Sequence, residues 1–135
     1  KRAGAKLLCG GTRRGQVIAP TLLAGVPPSL PVSCQEVFGP VAVVETWDDF
    51  DDVLRRVNDS AYGLQAGVFT RDLHRAAQAF RDLEVGGVVV NNTPTFRIDH
   101  QPYGGEKDSG LGREGIRWAI EEMTTVRILS LNTGP

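Results

Sequence analysis

The rhythm of apolar and polar positions changes along the chain, and each change marks an element. Val41–Glu45 (VAVVE) is a short, nearly continuous apolar run, the pattern of a buried strand. Phe50, Val53, Leu54 and Val57 follow at i, i+3, i+4 and i+7, which is one face of a helix. Asp48 or Asp49 stands just before them, where a short carboxylate accepts from the free N–H groups of the first turn. Asn58–Gly63 stops that helix, and Leu64–Phe69 reads as the next strand. Thr70 or Asp72 caps a second helix with Leu73, Ala76, Ala77, Phe80 and Leu83 on one face. Gly86–Gly87 ends it and Val88–Asn91 is a further strand. The resulting β-α-β-α-β order, with long connections, predicts a mostly parallel sheet with right-handed crossovers and flanking helices, an α/β fold.

The flanks are less regular. Lys6–Leu8 and Gln16–Leu23 read as two short strands, with Gly10, Gly11, Arg13, Arg14 and Gly15 as the turn between them. Gly25–Pro31 (GVPPSLP) is a connector, because its three prolines exclude helix and central strand. Asn92–Gly112 carries two prolines and four glycines and no periodicity. An irregular segment of that length in a compact domain is usually functional or disordered. Ile116, Ala119, Ile120 and Met123 predict a third helix, and Thr125–Leu131 a final strand.

Composition narrows the function classes. With 135 residues the chain has room for one domain of ordinary size. Fifteen Lys and Arg stand against 16 Asp and Glu, a net charge of −1, so charge gives no reason to expect nucleic acid or a membrane as partner. The apolar runs are far too short to span a bilayer, and no charged-then-apolar leader opens the chain. Cys9 and Cys34 form no CxxC pair, and His74 and His100 are far apart. No metal site is expected from that spacing. Two lone cysteines without a leader predict a reduced, cytoplasmic setting. The chain opens on Lys1 and its one Met is Met123, which predicts a piece of a longer protein.

Gly110–Gly115 (GLGREG) matches G-x-G-x-x-G, but it follows Lys107-Asp108-Ser109 rather than a strand. The acidic partner expected downstream is absent, so a dinucleotide phosphate loop is rejected. The sequons at Asn58 and Asn91 read as a helix end and a loop start. Neither Cys9 nor Cys34 has the helix N-terminus or neighbouring cation that activates a thiol, and each reads as a packing residue. Gln35-Glu36-Val37-Phe38-Gly39-Pro40 is unusual, with a carboxylate and an aromatic ahead of a fixed turn. Such a carboxylate is either solvated or suited to accept from a pair of ribose hydroxyls.

These residues together carry a resemblance. EVFGPV (36–41), Asn58 with YGLQAGVFT (62–70), GGVVVNN (86–92) and PYGGEKDSGLGREG (102–115) stand in order and in register. The set is similar to the C-terminal part of the NAD(P)-dependent aldehyde dehydrogenase superfamily, from Lys6 to about Leu131. The resemblance implies that residues 1–124 are the C-terminal portion of a catalytic domain and 125–135 an oligomerisation strand and tail. It implies that Glu36 holds the nicotinamide ribose hydroxyls, that Phe38 packs beside them, and that Leu64 lines the nicotinamide site. Glu114 would be the second glutamate of a proton and water relay. Phe96 and Arg97, in the loop 92–101, would shape the aldehyde entrance. NAD or NADP is the implied cofactor, a small aldehyde the substrate, and a homo-oligomer through 125–131 the assembly. The branch handling small hydroxy- or acid-bearing aldehydes, such as lactaldehyde, is the nearest in kind.

The bland readings stand beside these. Phe38 and Leu64 also suit ordinary core positions. Glu114 also suits a first-turn carboxylate on the third helix. Arg97 binds an anionic substrate group, or else pairs with Asp99 or solvent. The family's nucleophilic cysteine and general base lie upstream of EVFGPV, and neither cysteine here fits that motif. The isolated chain is therefore expected to be inactive. The competing expectation is a non-catalytic dimerising or partner-binding domain. Two departures from the family pattern stand out. Cys34-Gln35 replaces a commoner acidic pair, and Thr125 stands where some members have Glu, which puts in doubt an inter-subunit salt bridge to Arg113.

Overall fold

The protein was analysed as a computed structural model, which describes residues 4–135; the first three residues of the expected 1–124 segment lie outside the described ones. The chain divides into two compact units, Lys1–Arg56 and Val57–Pro135. Each is described by itself.

In the first unit, β1 (Lys6–Cys9) pairs antiparallel with β4 (Thr21–Ala24), and β4 pairs parallel with β5 (Val41–Val44). The register runs from Thr21 opposite Val41 to Ala24 opposite Val44. Between β1 and β4 lies a small hairpin, β2 (Arg13–Arg14) with β3 (Val17–Ile18). Two expectations change here. Arg13 and Arg14 are ladder residues rather than turn residues, and the expected strand 16–23 is broken at Ala19-Pro20. Pro20 has no N–H to give a ladder. Thr21 repairs the break: its Oγ1 accepts from Gly11 N at 2.8 Å and donates to the Ala19 carbonyl at 2.8 Å.

The connector ends in a single helical turn, α1 (Pro31–Cys34). Pro31 was expected to exclude helix, but it sits in the first turn, where a missing N–H costs nothing. β5 shows half-buried Val41 and Val43 alternating with exposed Ala42 and Val44, so one face is covered rather than both. α2 (Phe50–Asn58) starts as expected and chooses Asp49, whose Oδ1 accepts from Asp52 N at 2.7 Å. Leu54 on its apolar face is buried, and Trp47 lies tilted against Phe50 with ring centroids 5.8 Å apart.

In the second unit, β7 (Gln65–Val68) and β8 (Gly87–Val90) pair parallel around the crossover helix α3 (Leu73–Asp82). This is the βαβ arrangement that the periodicity predicts. Asp72 is the cap, accepting from His74 N at 2.8 Å and Arg75 N at 3.4 Å. The covered stripe of α3 differs from the expected one. Ala79 and Leu83 are buried and Ala76 half-buried, whereas Leu73, Ala77 and Phe80 face outward. The helix carries two apolar stripes, and the small alanines let it lie close on β8.

A short ribbon, β6 (Tyr62–Gly63) with β9 (Glu106–Lys107), ties the irregular segment to the strand region. Ser109 Oγ accepts from Gly63 N at 2.9 Å, and Asp108 N donates to the Ala61 carbonyl at 3.0 Å. Lys107 Nζ donates to the carbonyls of Asn58 at 2.5 Å and Ser60 at 3.1 Å, and pairs with Glu84 at 2.9 Å. The Asn58 side chain donates to the Asp82 carbonyl at 2.6 Å and accepts from Glu84 N at 2.9 Å.

α4 (Ile116–Met123) follows the glycine cap Gly115. Its expected core face of Ile116, Ile120 and Met123 is exposed, and only Ala119 on it is half-covered. Among the described residues the expected final strand, 125–131, joins no ladder, and Val126, Ile128, Leu129 and Leu131 are exposed. A strand needs a neighbour, and none of the described strands lies beside this one. Among the described residues no helix is long and apolar enough to cross a membrane.

Replacing Asn58 by Ala removes two side-chain bonds at once. We expect a cost of about 1–3 kcal/mol, seen as a lower urea midpoint at unchanged slope. A midpoint equal to that of the parent would show that these bonds carry no stability.

Candidate functional site

The candidate site residues fall in two groups, one in each unit. In the first, α1 ends at Cys34 and the chain turns out through 35–40. Gly39 N donates to the Val37 carbonyl at 2.9 Å and Val41 N to the Gly39 carbonyl at 2.8 Å. Thr21 N donates to the Pro40 carbonyl at 2.8 Å, which anchors the far end of the turn to β4. Glu36 and Phe38 project from this braced turn. The Phe38 ring is 93% exposed, so the core reading expected of it is wrong. An aromatic held at the surface by a fixed turn offers a face for a ligand. Glu36 is exposed as well and presents acceptor oxygens on the same turn.

The second group is built on the irregular segment 92–115. Asn91, at φ 57°, ends β8 and its Oδ1 accepts from Thr70 N at 2.8 Å. Phe96 N then closes a turn on the Thr93 carbonyl at 3.1 Å, and Gln101 N another on Ile98 at 3.2 Å. The segment returns along itself: Tyr103 N donates to the Glu114 carbonyl at 3.0 Å, and Glu114 N to the Tyr103 carbonyl at 2.5 Å. Arg97 meets both residues. Its Nη2 lies 3.2 Å from Glu114 Oε2, and its guanidinium carbon lies 4.3 Å above the centre of the Tyr103 ring. The expected pairing with Asp99 or solvent is therefore replaced by an ion pair seventeen residues along the chain.

Glu114 precedes the cap of α4 and is not in its first turn. The helix-stabilising reading of that carboxylate is thus set aside. Phe96 and Leu64 are both partly exposed at 46% and 40%, neither being the core residue that periodicity alone suggests for Leu64. Arg113, whose inter-subunit bridge was in doubt, forms a close ion pair with Glu106 and donates to the Gly105 and Gly112 carbonyls at 3.1 and 2.8 Å. Cys9 and Cys34 are free and exposed rather than packed.

Sequence reasoning missed Tyr103 and Lys107. Tyr103 stands six positions after Arg97 in a segment without periodicity, so no spacing rule brings them together. Lys107 reads as a surface cation, and only the fold reveals the three acceptors around its ammonium.

The geometry can be set beside known proteins. The family model described as the aldehyde dehydrogenase family matches residues 1–129. The 3-sulfolactaldehyde dehydrogenase of Priestia aryabhattai is 52% identical over 129 residues, covering 96% of this chain and 27% of its own length. The lactaldehyde dehydrogenase of Methanococcus aeolicus is 45% identical over 130 residues, covering 96% of this chain and 28% of its own length. Aldehyde dehydrogenase 21 from Physcomitrella patens, solved with the reaction product succinate, superposes with a TM-score of 0.88 at 46% identity, over 90% of this chain and 25% of that one. The NADP-dependent glyceraldehyde-3-phosphate dehydrogenase of Bacillus halodurans, solved with NADP, gives 0.92 at 41% identity, over 98% and 28%. The chain thus spans just over a quarter of the length of the curated relatives it matches. With the family match running through both groups of candidate residues, this chain belongs to the aldehyde dehydrogenase family.

Proposed function

We propose that the chain is the C-terminal portion of an NAD(P)⁺-dependent aldehyde dehydrogenase. Residues 1–124 are its share of the catalytic domain and 125–135 its oligomerisation strand and tail. The observation that carries the reading is the family match over residues 1–129. The uncovered apolar faces of α4 and of 125–131 agree with it, because exposed apolar surface of this kind is made to be covered by other protein. The full-length protein oxidises an aldehyde to a carboxylate and passes the hydride to the coenzyme, with water supplying the second oxygen. A cysteine outside this chain makes the covalent thiohemiacetal, and a base outside it activates the water.

The first group suits a nicotinamide coenzyme, which accepts the hydride when bound. The Glu36 carboxylate accepts from the two ribose hydroxyls. The exposed Phe38 face would pack against the ribose and nicotinamide. In the second unit, Leu64 is proposed as the residue the family uses to line the nicotinamide site. Glu114 moves protons to and from water during release of the acid. Phe96 forms an aromatic wall at the aldehyde entrance, and Arg97 holds an acidic group on the substrate, since a guanidinium fork matches a carboxylate or sulfonate. The lactaldehyde and sulfolactaldehyde relatives support a small hydroxy- or acid-bearing aldehyde as substrate.

A second reading has its own observation. The exposed apolar run Val126, Ile128, Leu129 and Leu131 has no ladder partner among the described residues, and an unpaired segment of that kind invites pairing. On that reading the chain is a non-catalytic dimerising domain. Light scattering at several concentrations, with and without 124–135, decides it: a parent that stays monomeric at every concentration removes the second reading.

Purified 1–135 is expected to form no NADH or NADPH from any aldehyde, and detectable turnover would overturn the division of labour proposed above. In the full-length protein, Glu36→Gln should slow hydride transfer and Glu114→Gln the release of acid, each by about tenfold or more. Unchanged single-turnover and steady-state rates in both variants would remove these roles. Arg97→Gln should raise KM for succinate semialdehyde far more than KM for propanal. An equal change for the two aldehydes would count against an anionic substrate group on Arg97.

A further inference from the structure

The ion pair between Arg97 and Glu114 does more than join two exposed side chains. The arginine is 42% exposed and the glutamate 66%, and exposed pairs of this kind add little to stability. Yet two further contacts, both through Tyr103, meet at this pair. The guanidinium carbon lies 4.3 Å over the centre of the Tyr103 ring, a cation–π contact. Nη2 of that fork meets Glu114 Oε2 at 3.2 Å. Tyr103 and Glu114 are themselves locked together by their reciprocal backbone bonds of 3.0 and 2.5 Å. The ring that holds the arginine and the carboxylate that receives it are thus parts of one small frame.

From this frame we propose that Arg97 is a positioning residue for Glu114. It fixes the rotamer of the carboxylate through a guanidinium clamped on Tyr103, in addition to any contact with substrate. The inference rests on the reading of Glu114 as the relay carboxylate. Glu114 stands outside the helix and before a glycine cap, so no helical neighbour orders its side chain. A carboxylate that must meet a water in one orientation needs an external brace, and misplacement by about 1 Å costs on the order of 10²-fold in rate. The flat fork of arginine supplies direction as well as charge, which a lysine ammonium does not. The three residues therefore make a brace in which the aromatic sets the arginine and the arginine sets the glutamate.

The test uses the full-length protein and propanal, an aldehyde without a charged group, so that removing Arg97 removes no contact to a substrate anion. Four variants are compared: Arg97→Gln, Arg97→Lys, Glu114→Gln and the double variant Arg97→Gln/Glu114→Gln. We expect Arg97→Gln to lower kcat by about tenfold with KM for propanal and coenzyme unchanged. Glu114→Gln should fall by a similar factor, and the double variant should fall no further than either single change. Arg97→Lys should recover part of kcat. Tyr103→Leu, which leaves both charges in place, should lower kcat several-fold without moving either KM. If Glu114→Gln slows turnover while Arg97→Gln and Tyr103→Leu leave kcat on propanal within twofold of the parent, the positioning role is overturned and the role of Glu114 survives. Losses that multiply in the double variant overturn it in the same way. A Glu114→Gln protein with normal turnover overturns both.

Discussion

The second unit depends on one close approach of backbone to backbone. A Cβ placed on Gly86 would run into the Gly104 carbonyl, and it would also crowd the carbonyl of Leu64 at 3.1 Å. With no side chain at either glycine, the irregular segment comes down directly onto the start of β8. From that seat the segment continues into β9, which pairs with β6, and into Ser109, whose hydroxyl receives the Gly63 N–H. The backbone bridge between Tyr103 and Glu114 follows at once on either side of the same turn. An irregular segment becomes a rigid support because its polar backbone groups find partners that a bulkier residue would keep apart.

Charge is then placed on that support in two ways. Lys107 donates to the carbonyls of Asn58 and Ser60 and pairs with Glu84, and it ties the end of the segment to the turn after α2. Arg97 lies at the surface between Tyr103 and Glu114. The first arrangement serves structure, because it fills acceptors the backbone has left open. The second adds little stability, because both partners of the ion pair are largely exposed. In the first unit the same division holds: Thr21 braces the chain break at Pro20, while Glu36 and Phe38 stand out from an anchored turn.

Local pattern carried far in this chain. The apolar period of α2 is written in neighbouring residues, the order β7-α3-β8 in the succession of periods, and the family in four motifs kept in register; the sequence left Thr70 and Asp72 as alternative caps, and the structure chose Asp72. Failures came where a pattern has two solutions or needs a partner. α3 has two apolar stripes, and only packing on β8 selects Ala76, Ala79 and Leu83 over Leu73 and Phe80. Phe38 and the α4 face are apolar in composition but uncovered in place. Hydrophobicity says that a residue gains from burial; it does not say that its own chain provides the cover.

By itself, then, the sequence determined the two longer helices, the β7-α3-β8 order and the family, because each rests on an apolar period or on motifs kept in order. Only the tertiary structure decided that Arg97 turns from Asp99 to Glu114, that Tyr103 lies beneath it, and that Lys107 is a tie rather than a surface charge. Those contacts join residues separated by loops without period. Their geometry is set by where glycines let the backbone touch itself, a property of space rather than of spacing.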